Sequence, residues 1–196
     1  MDSDEALRRL IAGNQRFVSG ELVHPHEGPE WRRHLTRSQA PIATVLGCSD
    51  AVVPPEIVFD QGLGDLFVIR VAGNVIASDV LGSVQFAGHN LGTRLFVVLG
   101  HDDCGVVKVA LERKRGGARQ LRWVDGVVDL MTAGLEGLGN GPGGHHEFCA
   151  AVEANVRWSV KQISSTPEAR LAIKENRARI VGAIYESPGG RVRFLD

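Results

Sequence analysis

Two stretches decide the fold: Ile42-Ala43-Thr44-Val45-Leu46-Gly47-Cys48, and further on Leu95-Phe96-Val97-Val98-Leu99-Gly100-His101. Each is a short, almost wholly apolar run rich in β-branched residues. Each stops at a glycine followed by a side chain able to bind metal. A third run, Leu66-Phe67-Val68-Ile69, lies between them after the turn residues Gly62 and Gly64. Runs this short, without alternation, suit strands buried on both faces of a parallel sheet.

Helical spacing fills the gaps. Val80, Leu81, Val84, Ala87 and Leu91 recur at helical intervals after a cap at Ser78, and Val106, Val107, Val109, Ala110 and Leu111 do so after Cys104. Segments 121–135 and 147–164 carry the same period on either side of a glycine-rich loop, Gly137 to Gly144, and Pro167 opens another helix. Alternation of strand and helix predicts an α/β fold, a central mostly parallel sheet with right-handed crossovers and helices on its flanks. Ile180–Tyr185, the turn Pro188-Gly189-Gly190 and Arg191–Leu195 predict an antiparallel hairpin at the sheet edge. Before the core, Ser3 can cap a helix with Ala6, Leu7, Leu10, Ile11 and Phe17 on one face and Gly20 past its end. Residues 21–39 have no clear period and read as an extended arm, free to wrap a neighbouring subunit. The expectation is one domain over 1–196, with an N-terminal helix and arm at 1–39 and an α/β core at 40–196.

Bulk composition excludes several classes. Of 196 residues, 43% are hydrophobic and 23% charged, the balance of an ordinary globular chain. The net charge is −1 and the densest basic cluster is Arg113-Lys114-Arg115, too short for a nucleic-acid footprint. No apolar run approaches a membrane span and the N-terminus lacks the pattern of a secretory leader, so a cytoplasmic location is expected. There, three cysteines point to metal binding or catalysis before disulfides.

Cys48 and His101 fall at strand ends, where ligands gather in open α/β sheets, and Cys104 follows His101 within one turn. Two thiolates and an imidazole suit zinc and leave a fourth tetrahedral position. Buried cysteines are also ordinary core residues, and His-x-x-Cys alone is a weak pattern. His145, His146 and Cys149 read as a solvated helix start rather than an accessory metal site. His24, His26 and His34 read as surface residues, and Asp102 and Asp103 as supports of the loop between the ligands.

The surrounding words narrow the choice. CSDAVVPPE at 48–56, GDLFVIRVAGN at 64–74, SVQFA at 83–87, GHDDCGVVKVA at 100–110 and the ending GAIYESPGGRVRFL together resemble the β-class carbonic anhydrases. The resemblance spans nearly the whole chain in order. It implies Zn2+ held by Cys48, His101 and Cys104, with Asp50 as the active-site aspartate or a fourth ligand. It further implies Gln39, Phe67, Gly73 and Phe86 at the substrate pocket, and assembly as a homodimer or dimer of dimers. The implied reaction is reversible hydration of carbon dioxide to bicarbonate and a proton, with zinc lowering the pKa of water toward neutrality.

The chain departs from the family's Cys-Ser-Asp-Ser-Arg string. Ala51 and Val52 replace the serine and the arginine that pairs with the aspartate, and Val71 stands where asparagine is usual. A buried carboxylate without its cation loses on the order of 3–5 kcal/mol. Asp50 then binds zinc directly, finds other donors such as backbone N–H groups or Arg70, or takes up a proton. Direct coordination ranks first, zinc being the strongest nearby positive charge. An apolar pocket also opens an alternative, a zinc hydrolase acting on carbonyl sulfide or carbon disulfide, and a closed site would make a catalytically silent zinc protein. In some family members the arginine matching Arg70 joins a non-catalytic bicarbonate site with a tryptophan, at the position occupied here by Val45.

Overall fold

β1 (Ala43–Gly47) and β3 (Leu95–His101) are buried at every position, which is why neither alternates polar with apolar residues. The computed structural model describes residues 1–139 and 144–195, so the middle of the predicted glycine-rich loop, 140–143, lies outside the described residues. β2 (Leu66–Arg70), β4 (Arg179–Glu186) and β5 (Arg191–Leu195) complete a five-stranded sheet in the order β2-β1-β3-β4-β5. The first four strands pair in parallel and β5 pairs antiparallel with β4. The mostly parallel α/β sheet and its antiparallel edge hairpin match the expectation. The chain runs from β1 out to β2 and returns to β3 on the other side of β1. The crevice beyond β1 and β3 is therefore the topological switch point, the usual ligand position in such sheets.

Helices α1 (Ser3–Ser19), α4 (Ser78–Asn90), α5 (Gly105–Lys114), α6 (Arg122–Met131), α7 (His145–Ser164) and α8 (Pro167–Lys174) occupy the predicted segments. Two capping expectations shift by one residue. Asp2, not Ser3, caps α1 by accepting from Glu5 N–H at 2.8 Å, and Ser78 is the first residue of α4 rather than its cap. Two short helices escape the periodicity, α2 (Pro29–Leu35) and α3 (Pro55–Val58). Each begins with proline, whose missing N–H costs nothing in a first turn. Neither is long enough to show a repeat.

α7 lies across β3 and β4 because glycine lets it approach closely. A Cβ on Gly100 would stand 2.5 Å from Val156 Cγ2, and one on Gly182 would stand 2.8 Å from Val156 Cγ1. α1 is tied to the far edge of the sheet by Asn14, which is 6% exposed. Its Nδ2 donates to Val58 O (3.0 Å) and Gly190 O (2.9 Å), and its Oδ1 accepts from Val192 N–H (2.8 Å).

Residues 21–39 lie on their own chain, against the 60–65 loop. The Asp60 carboxylate accepts from Arg16 Nε and from the N–H groups of Val23 and His24. Burial pushes that carboxyl up, but these donors outweigh it and hold it below the usual value. His26 is not a simple surface residue. Its Nδ1 sits 2.8 Å from Asp65, and its ring stacks on Trp31 at 3.9 Å. Trp31 in turn donates to Leu63 O at 2.7 Å.

Candidate metal centre

β1 delivers Cys48 and β3 ends on His101, so parallel pairing of Gly47 with Leu99 brings the two side by side beyond the sheet. Cys104 arrives through a tight loop in which Asp103 adopts φ 52°, and it stands at the N-terminal end of α5. The ligand atoms of Cys48, His101 and Cys104 all lie within 4.8 Å of one another, and all three residues are buried. This is the one such group of three or more among the described residues. His145 and Cys149 approach to 3.5 Å but are exposed and gather no third ligand there.

The chemistry of the group fits a soft divalent cation. Among the described residues neither ring nitrogen of His101 has a hydrogen-bond partner, although the side chain is 1% exposed. An imidazole desolvated with no partner is costly unless something else binds it. The Cys48 thiol is held down to about 4, chiefly by the hydrogen bond with Cys104, against burial and with help from His101 and the N–H groups of Asp50 and Gly73. Cys104 is pushed far above the ordinary thiol value by Cys48 and by burial. For His101, burial pulls the imidazole down, but the neighbouring Cys48 sulfur outweighs it and raises it. The contact between the two sulfurs favours the thiolate at Cys48 and the thiol at Cys104. A bound cation would displace the remaining thiol proton and engage both sulfurs.

The other predicted site residues are spread more widely. Gly73, at φ 68°, donates its N–H to Cys48 Sγ at 3.3 Å, and its carbonyl accepts from Asn155 Nδ2 at 2.8 Å. Asp50 is half-buried and is not in the ligand group. Its N–H donates to Cys48 Sγ at 3.4 Å, and its Oδ1 accepts from Val52 N–H at 3.2 Å. The donor that meets this carboxylate in the structure is a backbone N–H. Ala51 and Val52 are exposed, Val52 by 50%, so they do not form an apolar wall around the ligands. Phe67 and Phe86 touch each other, ring centroids 6.2 Å apart, on β2 and α4. Phe86 also lines a groove of about 750 Å³ between α4 and α8, at the opposite end of the strands from the ligands. Gln39 is exposed in the segment leading to β1.

The sequence offered Arg70 as a donor to the Asp50 carboxylate; the structure places it on the main chain of the turn instead. Its Nε donates to Cys48 O at 2.9 Å and its Nη2 to Asp50 O. Asp102 supports the loop between the ligands, as expected, through partners that the sequence does not reveal. Asp102 accepts from Ser187 N–H at 3.0 Å and from the Ser187 hydroxyl, and donates its own N–H to Tyr185 O at 3.0 Å. Nothing in the local sequence around 102 signals a partner at 187.

Fold and site together define an open α/β protein carrying a candidate thiolate–imidazole metal centre at its switch point. A family model described as carbonic anhydrase matches residues 43–192. The carbonic anhydrase of Mycolicibacterium smegmatis is 42% identical over 190 residues, covering 96% of this chain and 91% of that protein. Carbonic anhydrase 2 of Mycobacterium tuberculosis is 39% identical over 193 residues, covering 97% and 92%. The solved structure of the β-carbonic anhydrase CcaA matches with a TM-score of 0.78 at 26% identity, covering 97% of this chain and 87% of that one. The chain belongs to the β-carbonic anhydrase family, a family of lyases.

Proposed function

We propose that this enzyme reversibly hydrates carbon dioxide to bicarbonate and a proton at a zinc ion held by Cys48, His101 and Cys104. The observation that carries the reading is the buried trio within 4.8 Å, with both nitrogens of His101 unpartnered among the described residues. When bound there, zinc supplies a Lewis acid that lowers the pKa of water toward neutrality. The chain's own residues do the rest. N–H groups of Gly73 and Asp50 stabilise the Cys48 thiolate, and the α5 N-terminus receives Cys104. Asp50, held by Val52 N–H, offers an acceptor beside the trio and leaves the fourth ligand position to water and substrate. In this reading Gly73 borders the substrate pocket from within the chain, and Gln39, Phe67 and Phe86, which lie away from the trio, line it only where a second copy of the chain packs. Because Ala51 and Val52 are exposed, they give no support to exchanging carbon dioxide for a sulfur analogue.

The same reading includes a homodimer or dimer of dimers. β2 is an edge strand, and its residues Leu66–Ile69 are only partly buried, unlike those of β1 and β3. With Phe86, 47% exposed and in contact with Phe67, this edge presents apolar surface suited to a second copy. Among the described residues no helix is long and apolar enough to cross a membrane, and the free thiols Cys48, Cys104 and Cys149 are in keeping with a cytoplasmic location. The test is metal analysis followed by stopped-flow carbon dioxide hydration across pH. About one zinc per chain is expected. Zinc-loaded protein with no turnover at any pH ends the assignment.

A further inference from the structure

The Cys48–Asp50 turn is gripped by a residue of the neighbouring strand. Arg70 ends β2 opposite Gly47 of β1. Its guanidinium reaches over the turn and donates to the carbonyls of Cys48 and Asp50. A planar fork that takes two carbonyls two residues apart sets the curvature of the turn as well as its position. Held so, Asp50 points its amide at Cys48 Sγ and keeps its Oδ1 on Val52 N–H. Val52 brings no charge to that carboxylate. The other carboxylate beside the ligands, Asp102, is engaged by Ser187. Asp50 is thus the short acidic side chain whose placement depends on this turn, and a metal cation in the trio would attract it if the turn relaxed.

We propose that Arg70 is a positioning residue that restrains the Asp50 carboxylate within its own turn, off the ligand trio, in a chain where position 52 supplies no arginine. The inference rests on the open zinc site proposed above and assigns to a strand-end arginine, acting through main-chain carbonyls, the control of that openness. A lysine cannot replace it, because a single ammonium on a flexible stem does not bridge two carbonyls in fixed geometry.

The test uses full-length protein loaded with cobalt(II) and titrated with thiocyanate, following the visible ligand-field bands. Wild-type protein shows thiolate-to-cobalt charge transfer and responds to thiocyanate; failure of either refutes the open-site reading, whatever Arg70 does. Arg70→Gln weakens thiocyanate binding by about tenfold or more as Asp50 competes for the metal. Adding Asp50→Asn to that variant restores the affinity to within about threefold of wild type. Arg70→Lys behaves more like Arg70→Gln than like wild type. Wild-type affinity in Arg70→Gln overturns the proposal, as does a loss that Asp50→Asn fails to reverse, since that marks general damage to the site. Should Arg70→Gln not retain cobalt, the Arg70→Lys and Arg70→Lys/Asp50→Asn pair decides by the same two criteria.

Discussion

Replacing Gly73 with alanine strikes the fold and the metal site at one atom. Gly73 sits at φ 68° and ψ 18°, the left-handed region, where a Cβ crowds the following carbonyl at a cost of about 1–2 kcal/mol. The new methyl would also stand 2.8 Å from Met131 Cε and 3.4 Å from Val106 Cγ1. Met131 is wholly buried, so its flexible tip must move within a packed core, which adds about 1–2 kcal/mol, the lower part of the usual overpacking range. The total is about 2–4 kcal/mol, a large share of a domain stability of roughly 5–15 kcal/mol. The shift also disturbs the N–H that Gly73 gives to Cys48 Sγ and the carbonyl that holds Asn155. Urea unfolding of the zinc-loaded protein should therefore show a lower midpoint with an unchanged slope, and zinc should leave the variant more readily to a competing chelator. Gly82→Ala is the control. Gly82 lies within α4 with no atom within 4 Å of a built Cβ, so this variant gains about 0.5–1 kcal/mol. If Gly73→Ala unfolds within about 0.5 kcal/mol of wild type, the packing argument is wrong.

Asn14→Leu removes three buried hydrogen bonds joining α1 to Val58, Gly190 and Val192; chemical denaturation should show a loss of about 3–5 kcal/mol. In metal-free protein carrying Cys149→Ser, ultraviolet thiolate absorbance should show one thiol ionising near about 4 and the other still protonated well into the alkaline range. The depressed Cys48 value makes its contribution to metal-free stability grow as pH rises from about 4 toward the ordinary thiol value and vanish as pH falls through about 4. The raised Cys104 value works the other way, and its contribution falls above the ordinary thiol range, so pH-dependent unfolding should show a maximum between the two. Removing zinc with a chelator should lower the thermal midpoint, since a ligand at a thousandfold excess over its dissociation constant stabilises by about 4 kcal/mol; an unchanged midpoint would argue that the trio does not hold metal.

The core strands and the candidate ligand trio were legible because both are written in local patterns. Unbroken apolar runs mark strands buried on both faces, and the glycines that end them place Cys48 and His101 at strand ends. Helices α2 and α3 were not legible, being seven and four residues long, too short to repeat an apolar face. The anchors of the arm, Asp60, Asp65 and Leu63, were not legible because they lie in a loop that no spacing rule connects to it.

What the sequence alone determined is the scaffold and the candidate metal-binding group, since these follow from side-chain type and periodic spacing along the chain. The surroundings of Asp50 were decided only by the tertiary structure. The replacement of arginine by Val52 suggested a carboxylate in need of a cation. The folded chain instead supplies the N–H of Val52 to the carboxylate and the guanidinium of Arg70 to the turn that carries it. Arg70 reaches that turn because β2 pairs with β1 in a register that sets it beside Gly47. Register is a property of two strands packed together, and neither strand states it alone.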